Sequence, residues 1–503
     1  MNVAVKFKKE IAELKQTLFE KQQRIELLEE LLRTSKQRQF GTSSEKHPAQ
    51  QALFNEAEEI QADENSLDAD EEASVDVPAH TRKRKKRVSI PESIEREEIV
   101  YDLDDTEKVC PHDGAALRHI GDETHEQLDI IPAQIKALRH IRKKYACPCC
   151  EQYLVTAKKP KQPIEKGIAS PGLLAYIAVS KYADALPLYR QVAMFKRLGI
   201  DLDDTSLANW MIRCGELLQP LLNRLQDYLL EQSVIHMDET PLQVLNEPGK
   251  SAQSQSYMWV MATSVCSSPV ILFNYSASRS QQTPEILLAG YKGALMVDGY
   301  SGYRSVCSTD DVQRLACWAH ARRKFVEAKT AQGKKKTGRA DQALAWIQHL
   351  YRIEKQGKEL PPDKRYQLRQ LQAKPIIDKL QKWLIKSRPQ VPPKSAMGKA
   401  LLYLHNQWDY LIGYLDNGAY PIDNNRAENA IRPFVIGRKN WLFSKSQAGA
   451  HASANLYSLI ETAKANDLEP YGYLKTVFTQ LPNISSVDDV DALLPWAVKG
   501  GVG

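Results

Sequence analysis

Three acidic residues stand where carboxylates can do chemistry at phosphorus. Asp238 follows the apolar run Val234-Ile235-His236-Met237, and Asp298 follows Ala294-Leu295-Met296-Val297, with Gly299 behind it to let the backbone turn. Each reads as the acid at the end of a short strand. A lone aspartate there is usually a turn or cap residue, and it is the repetition that raises the pair above that reading. The third acid, Glu428, lies in Asp423-Asn424-Asn425-Arg426-Ala427-Glu428-Asn429-Ala430-Ile431-Arg432-Pro433. Asn424 or Asn425 can cap a helix that the proline should end soon afterwards. Helical spacing places Asn424, Asn425 and Arg432 on the face of Glu428. Three clustered carboxylates repel one another unless hard cations such as Mg²⁺, or Mn²⁺, neutralise them through oxygen ligands. Two such ions about 4 Å apart would activate a water or a 3′-hydroxyl and stabilise the leaving oxygen of an in-line displacement. His236 shares a sheet face with Asp238 by strand alternation, and either supports the site or simply packs there.

The elements between these acids must bring them together. Asp238 and Asp298 are 60 positions apart, room for the strand-like Leu242–Leu245, Tyr257–Thr263 and Val270–Tyr275. Asp298 and Glu428 are 130 apart, and the stretch from Thr330 to Tyr420 is rich in Lys, Gln and Leu with helical period, broken at Pro361-Pro362 and Pro392-Pro393. A helical insertion into the core is expected there, with DNA holding as its task. The run Cys317-Trp318-Ala319-His320-Ala321-Arg322-Arg323-Lys324-Phe325 should start the helix after the strand bearing Asp298. His320, Arg322 and Arg323 could then touch DNA or lie on an ordinary packed or solvated face. Past Glu428, Arg438, Lys439, Trp441, Phe443 and Lys445 interleave charge with aromatics, which suits a phosphate backbone or an unstacked base, or else a plain basic surface.

The chain of 503 residues, with formal net charge +6, is too long for one core, and its charge is unevenly placed. Ile11, Leu14, Leu18, Ile25, Leu28 and Leu32 fall at heptad a and d positions, with Lys21 breaking the pattern. They predict a short dimerising coiled coil, the alternative being one helix lying on the protein's own body. From Glu56 to Asp76 ten acidic residues occur with no Lys or Arg, as in a linker without a core. Arg82-Lys83-Arg84-Lys85-Lys86-Arg87 follows, six cations able to neutralise DNA phosphates or to stand as a solvated run. Cys110-Pro-His112-Asp113 and Cys147-Pro-Cys149-Cys150 then offer one regular C-x2-C knuckle and one irregular one. Zn²⁺ held by Cys110, Cys147, Cys150 and either Asp113 or His112 stands beside a β-rich domain of simply buried cysteines. From Pro171 to Leu222 three helices are expected, with Gly199 as C-cap and Asp204 or Thr205 as N-cap, in a helix-turn-helix unit or a plain bundle. No run of 18 apolar residues and no signal peptide are present, which reads as a soluble intracellular protein without membrane contact.

Several segments together resemble the transposases of the insertion sequence 66 family, within the DDE superfamily, along nearly the whole chain. They are Phe40–Lys46, Ser180-Lys181-Tyr182, Leu186–Gln191, His236-Met237-Asp238-Glu239-Thr240-Pro241, Cys317–Phe325, Asn424–Pro433 and Leu456–Lys464. The resemblance implies Asp238, Asp298 and Glu428 as the catalytic triad, a zinc-binding segment at the cysteines, and a helical DNA-binding region over the 160s to 220s. It also departs from the family, whose members often carry two regular knuckles where Asp113 stands here.

The expected architecture is multidomain α+β. A coiled coil (1–46), an acidic then basic linker (47–88), a small zinc-ribbon-like domain (89–165) and a helical DNA-binding domain (166–228) precede an RNase H-like α/β core. That core is split into 229–328 and 421–466 around the helical insertion (329–420), with a helical tail (467–503). The expected activity is binding of the element's ends, hydrolysis to free 3′-hydroxyls and their joining to target DNA. A structure-selective nuclease and a non-enzymatic zipper and helix-turn-helix repressor are the alternatives. Expected partners are double-stranded DNA, a second copy through the coiled coil, and accessory proteins of the same element, at a cytoplasmic, nucleoid-associated location.

Overall fold

The computed structural model describes residues 154–308, 311–332 and 338–501, together with 97–98, 115, 134–146 and scattered residues between 10 and 32. The chain divides into two units, residues 65–157 and the rest. In the first, β1 (Lys144–Ala146) and β2 (Leu154–Thr156) form an antiparallel hairpin with Tyr145 opposite Val155. Cys110, His112, Asp113, Cys147, Cys150 and the basic run Arg82–Arg87 lie outside the described residues.

In the second unit, the described residues between 10 and 32 are helical, and Ile11, Leu14, Leu18, Ile25, Leu28 and Leu32 are all exposed on them. Four helices follow from residue 171: α1 (Pro171–Tyr182), α2 (Leu188–Arg197), α3 (Asp204–Leu217) and α4 (Gln219–Leu230). Three were expected. The third was expected to run through Trp210 to Leu218, and a fourth starts at Gln219-Pro220, because proline is favourable in a first turn and costly later. Asp203, one position before the expected cap, accepts the Ser206 N–H and starts α3, while Gly199, at φ +80°, turns the chain after α2. The helices share one hydrophobic core with the sheet that follows. Leu174, Ile177, Leu207, Leu221 and Leu225 belong to the same buried cluster as Val260, Phe273 and Leu295.

The sheet runs β5-β4-β3-β6-β7, made of β3 (Val234–Asn246), β4 (Gln255–Thr263), β5 (Ile271–Ser276), β6 (Gly293–Val297) and β7 (Val312–Ala316), with α5 (Gln282–Leu287) between β5 and β6. The first three are mutually antiparallel, whereas β6 is parallel to β3 and β7 to β6. Asp238 does not end a short strand. β3 continues through it for 13 residues, laddered with β4 from Ile235 to Gln243. What ends is the parallel pairing with β6, whose last register pair is His236 with Met296. Asp238 and Asp298 therefore sit two residues beyond the same register pair, on neighbouring strands that run in one direction.

The helix α6 (Trp318–Gln332), expected directly after the strand that precedes Asp298, is separated from it by the strand β7. After α6 the helical insertion consists of α7 (Arg339–Gln356), α8 (Pro362–Leu368), a π-helical turn (Arg369–Ala373), α9 (Lys374–Ser387), α10 (Ala396–Asn406) and α11 (Trp408–Ile412). With α6 it buries its own core, including Phe325, Ile347, Leu350, Leu380, Leu401 and Leu411. Its two ends meet, since the Trp318 N–H donates to the Ile422 carbonyl at 3.1 Å and Trp318 Nε1 donates to Leu411 O at 2.8 Å.

The chain then returns to the sheet. α12 (Asn425–Trp441) does not end near Pro433 but runs eight residues past it. The proline removes one backbone donor, and Ile431, Phe434 and Val435, buried on both sides of it, hold the helix in place. β8 (Ser444–Ser446) adds beside the far end of β3, and α13 (Gln447–Ala465), α14 (Pro470–Gln480), α15 (Val487–Asp491) and α16 (Pro495–Gly501) complete the fold. α13 closes the sheet edge. Ser458 Oγ accepts the Phe273 N–H at 2.7 Å, and Thr462 Oγ1 accepts the Ile271 N–H at 3.0 Å and donates to Ile271 O. Two hydroxyls thereby satisfy backbone groups that an edge strand would otherwise leave open. α13 also crosses α3 closely, and a Cβ on Gly215 would stand 2.7 Å from Ala452 Cα. Gly215→Ala should therefore cost about 1–3 kcal/mol through backbone displacement, read as a lowered denaturant midpoint at unchanged slope. An unchanged midpoint would show that these helices can part without loss.

Candidate functional site

Asp238 lies on β3, Asp298 directly after β6, and Glu428 in the first turn of α12. What brings Glu428 to the strands is Asn424. Instead of capping α12, its buried side chain crosses to β3, where Nδ2 donates to Met237 O at 3.0 Å and Oδ1 meets His236 Nδ1 at 3.0 Å. The start of α12 is thus bonded to β3 at His236 and Met237, the two residues preceding Asp238.

The charges of Asp298 and Glu428 both reach Asp238. Protein packed around Asp238, then the charges of Glu239, Glu428 and Asp298, push its pKa well above the usual carboxylate range. The three carboxylates do not themselves form a group of ligand atoms mutually within 4.8 Å. Among the described residues, the group of three ligand atoms mutually within 4.8 Å is Cys317, His320 and Glu428. Glu428 is 8% exposed, and Arg323 Nη2 stands 3.6 Å from its Oε2. Its Oε1 is buried without a hydrogen-bond partner. Such an orphaned carboxylate oxygen, next to a carboxyl whose ionisation is opposed by two others, is an arrangement that a bound cation would relieve.

A fourth carboxylate was not identified from sequence. Glu239 receives the Tyr303 hydroxyl at 2.5 Å and Arg279 Nε at 2.7 Å, and burial followed by the charge of Asp298 raises its pKa. Two consecutive acids in an apolar strand were the available signal. The Arg279 guanidinium lies 3.9 Å over the Tyr300 ring. On the other side of Asp298, Arg314 Nη2 donates to its backbone carbonyl at 2.8 Å. A cavity of about 540 Å³ opens there, lined by Gly299, Arg304, Arg314, Tyr403, Asn406 and Gln407 among others.

The remaining candidates fall in different places. His320 and Arg323 point to Glu428 at 3.4 and 3.6 Å, and Arg322 is half-buried on the same helix. Arg438 donates to Thr240 Oγ1 at 3.1 Å, and burial lowers its pKa. Arg432 is half-buried and Lys439 exposed. Trp441 is half-buried, its ring 6.4 Å from that of Tyr457 and 5.7 Å from Lys181 Nζ. No helix among the described residues is long and apolar enough to cross a membrane.

His236 also carries a stability signature. Burial holds it neutral and lowers its pKa from 6.5 to about 4, against the hydrogen bond that Asn424 Oδ1 accepts from it, which works the other way. Between these values the unfolded chain binds the proton and the folded one does not, so stability rises with pH across that window. It is fully present above about 6.5 and lost as pH falls toward 4, by about 3 kcal/mol in all. His236→Asn should flatten this limb of the stability profile in chelator-treated protein. An unchanged limb would place the titration elsewhere.

Comparison with known proteins agrees along the chain. Residues 166–452 match the profile described as the Transposase IS66 family, 107–151 the zinc-finger binding domain of transposase IS66, 458–496 the IS66 C-terminal element, and 27–99 the Transposase C of IS166 homeodomain. Among curated relatives, the uncharacterized protein y4jD of Sinorhizobium fredii is 33% identical, over 82% of this chain and 81% of its own length. The uncharacterized protein y4qI of the same organism is 31% identical, over 97% of this chain and 92% of its own. No solved structure matches. With its central profile covering more than half of the residues and its site carried by the matched region, this chain belongs to the IS66 family of transposases.

Proposed function

We propose that the protein cuts and joins DNA at one carboxylate site, with Asp238, Asp298 and Glu428 as its metal ligands. The observation that carries this is that the ionisation of Asp238 is opposed by burial and then by the charges of Glu239, Glu428 and Asp298. The sheet order β5-β4-β3-β6-β7, three antiparallel strands followed by two parallel ones, supports an RNase H-like core. Asp238, Asp298 and Glu428 would hold Mg²⁺ through their carboxylate oxygens. Bound there, Mg²⁺ would supply Lewis-acid stabilisation and a more acidic water or 3′-hydroxyl.

The chain's own groups do the rest. Asn424 fixes Glu428 against β3, and Arg323 holds one oxygen of Glu428 so that the other remains available. The Arg279 and Tyr303 bonds keep Glu239 turned to its own partners. Arg304 and Arg314, beside Asp298 with the amides of Asn406 and Gln407, offer a place for the phosphate of a strand entering the site. The exposed heptad residues Ile11 to Leu32 would pair two copies, so that two element ends are held together. The segment 107–151 would hold zinc, and the helices of 171–230 would contact the ends. The test is a strand-transfer assay with the full-length protein, paired element-end DNA and Mg²⁺. End cleavage followed by joining is expected. Cleavage without joining would leave a nuclease, and metal-independent binding without cleavage would leave a repressor.

A further inference from the structure

We propose that Cys317, His320 and Glu428 form a site for one borderline-soft divalent cation of the zinc or cobalt kind, distinct in chemistry from the magnesium site and sharing Glu428 with it. Cys317 immediately precedes α6 and His320 lies in its first turn, three residues on and therefore on the same face. Glu428 approaches from the first turn of α12. One sulfur, one imidazole nitrogen and one carboxylate oxygen come within 4.8 Å of each other. Around zinc, with ligand bonds of about 2.0–2.3 Å, such atoms stand roughly 3.3–3.8 Å apart. Closing that gap asks for side-chain adjustment and no movement of the helices.

Unpaired polar atoms point to the same place. His320 Nδ1 and Glu428 Oε1 face each other at 3.4 Å, both are buried, and neither makes a hydrogen bond. A cation between them satisfies both. Arg323 holds the other oxygen of Glu428, which turns Oε1 to the ion. The Asn424 N–H donates to Cys317 Sγ at 3.2 Å, the kind of outer bond that stabilises a metal-bound thiolate and orients it. The mixed S, N, O set selects zinc or cobalt over magnesium, which takes oxygen ligands. The fourth position is left to water. If the proposed transfer chemistry holds, a zinc ion here occupies Glu428 and opposes magnesium-dependent joining.

The test is a count of bound Co²⁺ by elemental analysis and of thiolate-to-cobalt absorbance, on full-length protein stripped with chelator and then reloaded. Wild type is compared with Cys317→Ser, His320→Asn and Glu428→Gln, and the cysteines of 107–151 contribute equally to all four. Each variant should bind one cobalt fewer per chain, with lower charge-transfer absorbance. Equal counts and absorbance in all four would overturn the site. Should Cys317→Ser fail to fold, the two variants that keep every thiol decide the matter. The count needs no transposition activity, so the site and the transfer chemistry can fail separately.

Discussion

Asp238→Ala and Glu428→Gln should each lower both end cleavage and strand joining by about a thousandfold or more, equivalent to about 4 kcal/mol of barrier, while binding of element-end DNA survives. The two steps fall together because one set of carboxylates would serve both, and binding survives because the proposed DNA contacts lie on other elements. Glu428→Gln retains shape and removes charge, so its failure cannot be assigned to lost packing. Metal ligation has its own signature. Asp238→Cys should be nearly inert in Mg²⁺ and partly recovered in Mn²⁺, which accepts a thiolate more readily. Joining at the wild-type rate by either Asp238→Ala or Glu428→Gln would refute the assignment.

Arg369→Met should destabilise the helical insertion by about 3–5 kcal/mol, the cost of stripping the partner from a buried ion pair. Arg369 is 1% exposed in the π-helical turn between α8 and α9. Its guanidinium grips Glu354 through Nε at 2.8 Å and Nη2 at 2.6 Å, and donates to the carbonyls of Tyr414, Asn417 and Tyr420. Every N–H of the fork is used, tying α7 to the segment that leads back to α12. Lysine offers three donors without that planar geometry, so Arg369→Lys should recover little. Hydrogen exchange is the measurement. Protection should fall across residues 339–420 and persist in β3 and β4, and uniform loss through both would show that the insertion does not open on its own.

Much of this was legible in the sequence because it rests on short-range pattern. The helical period of the insertion, its breaks at Pro362 and Pro392-Pro393, and the apolar runs before Asp238 and Asp298 are visible in windows of ten residues. The errors arose where distant partners override local signals. Glu239-Thr240-Pro241 reads as a strand end, yet β3 continues along β4, with Pro241 opposite Tyr257, after its pairing with β6 has ended at His236. Pro433 reads as a stop, but Phe434 packs 5.4 Å from the Tyr457 ring and carries the helix on. Glu239 meets Arg279 and Tyr303, 40 and 64 positions away. No periodicity reports such contacts. Ser458 and Thr462, quoted as a family signature, have a structural task at the β5 edge that only the sheet order reveals.

The joined ends of the insertion have a bearing on how such proteins diversify. The chain departs at Trp318 and returns at Ile422 through a single backbone hydrogen bond, with a hydrophobic interior of its own in between. A descendant could lengthen, shorten or exchange this cassette and still deliver the third acid to the same spot. Changes in the length or surface of the cassette need not disturb the strands that carry Asp238 and Asp298.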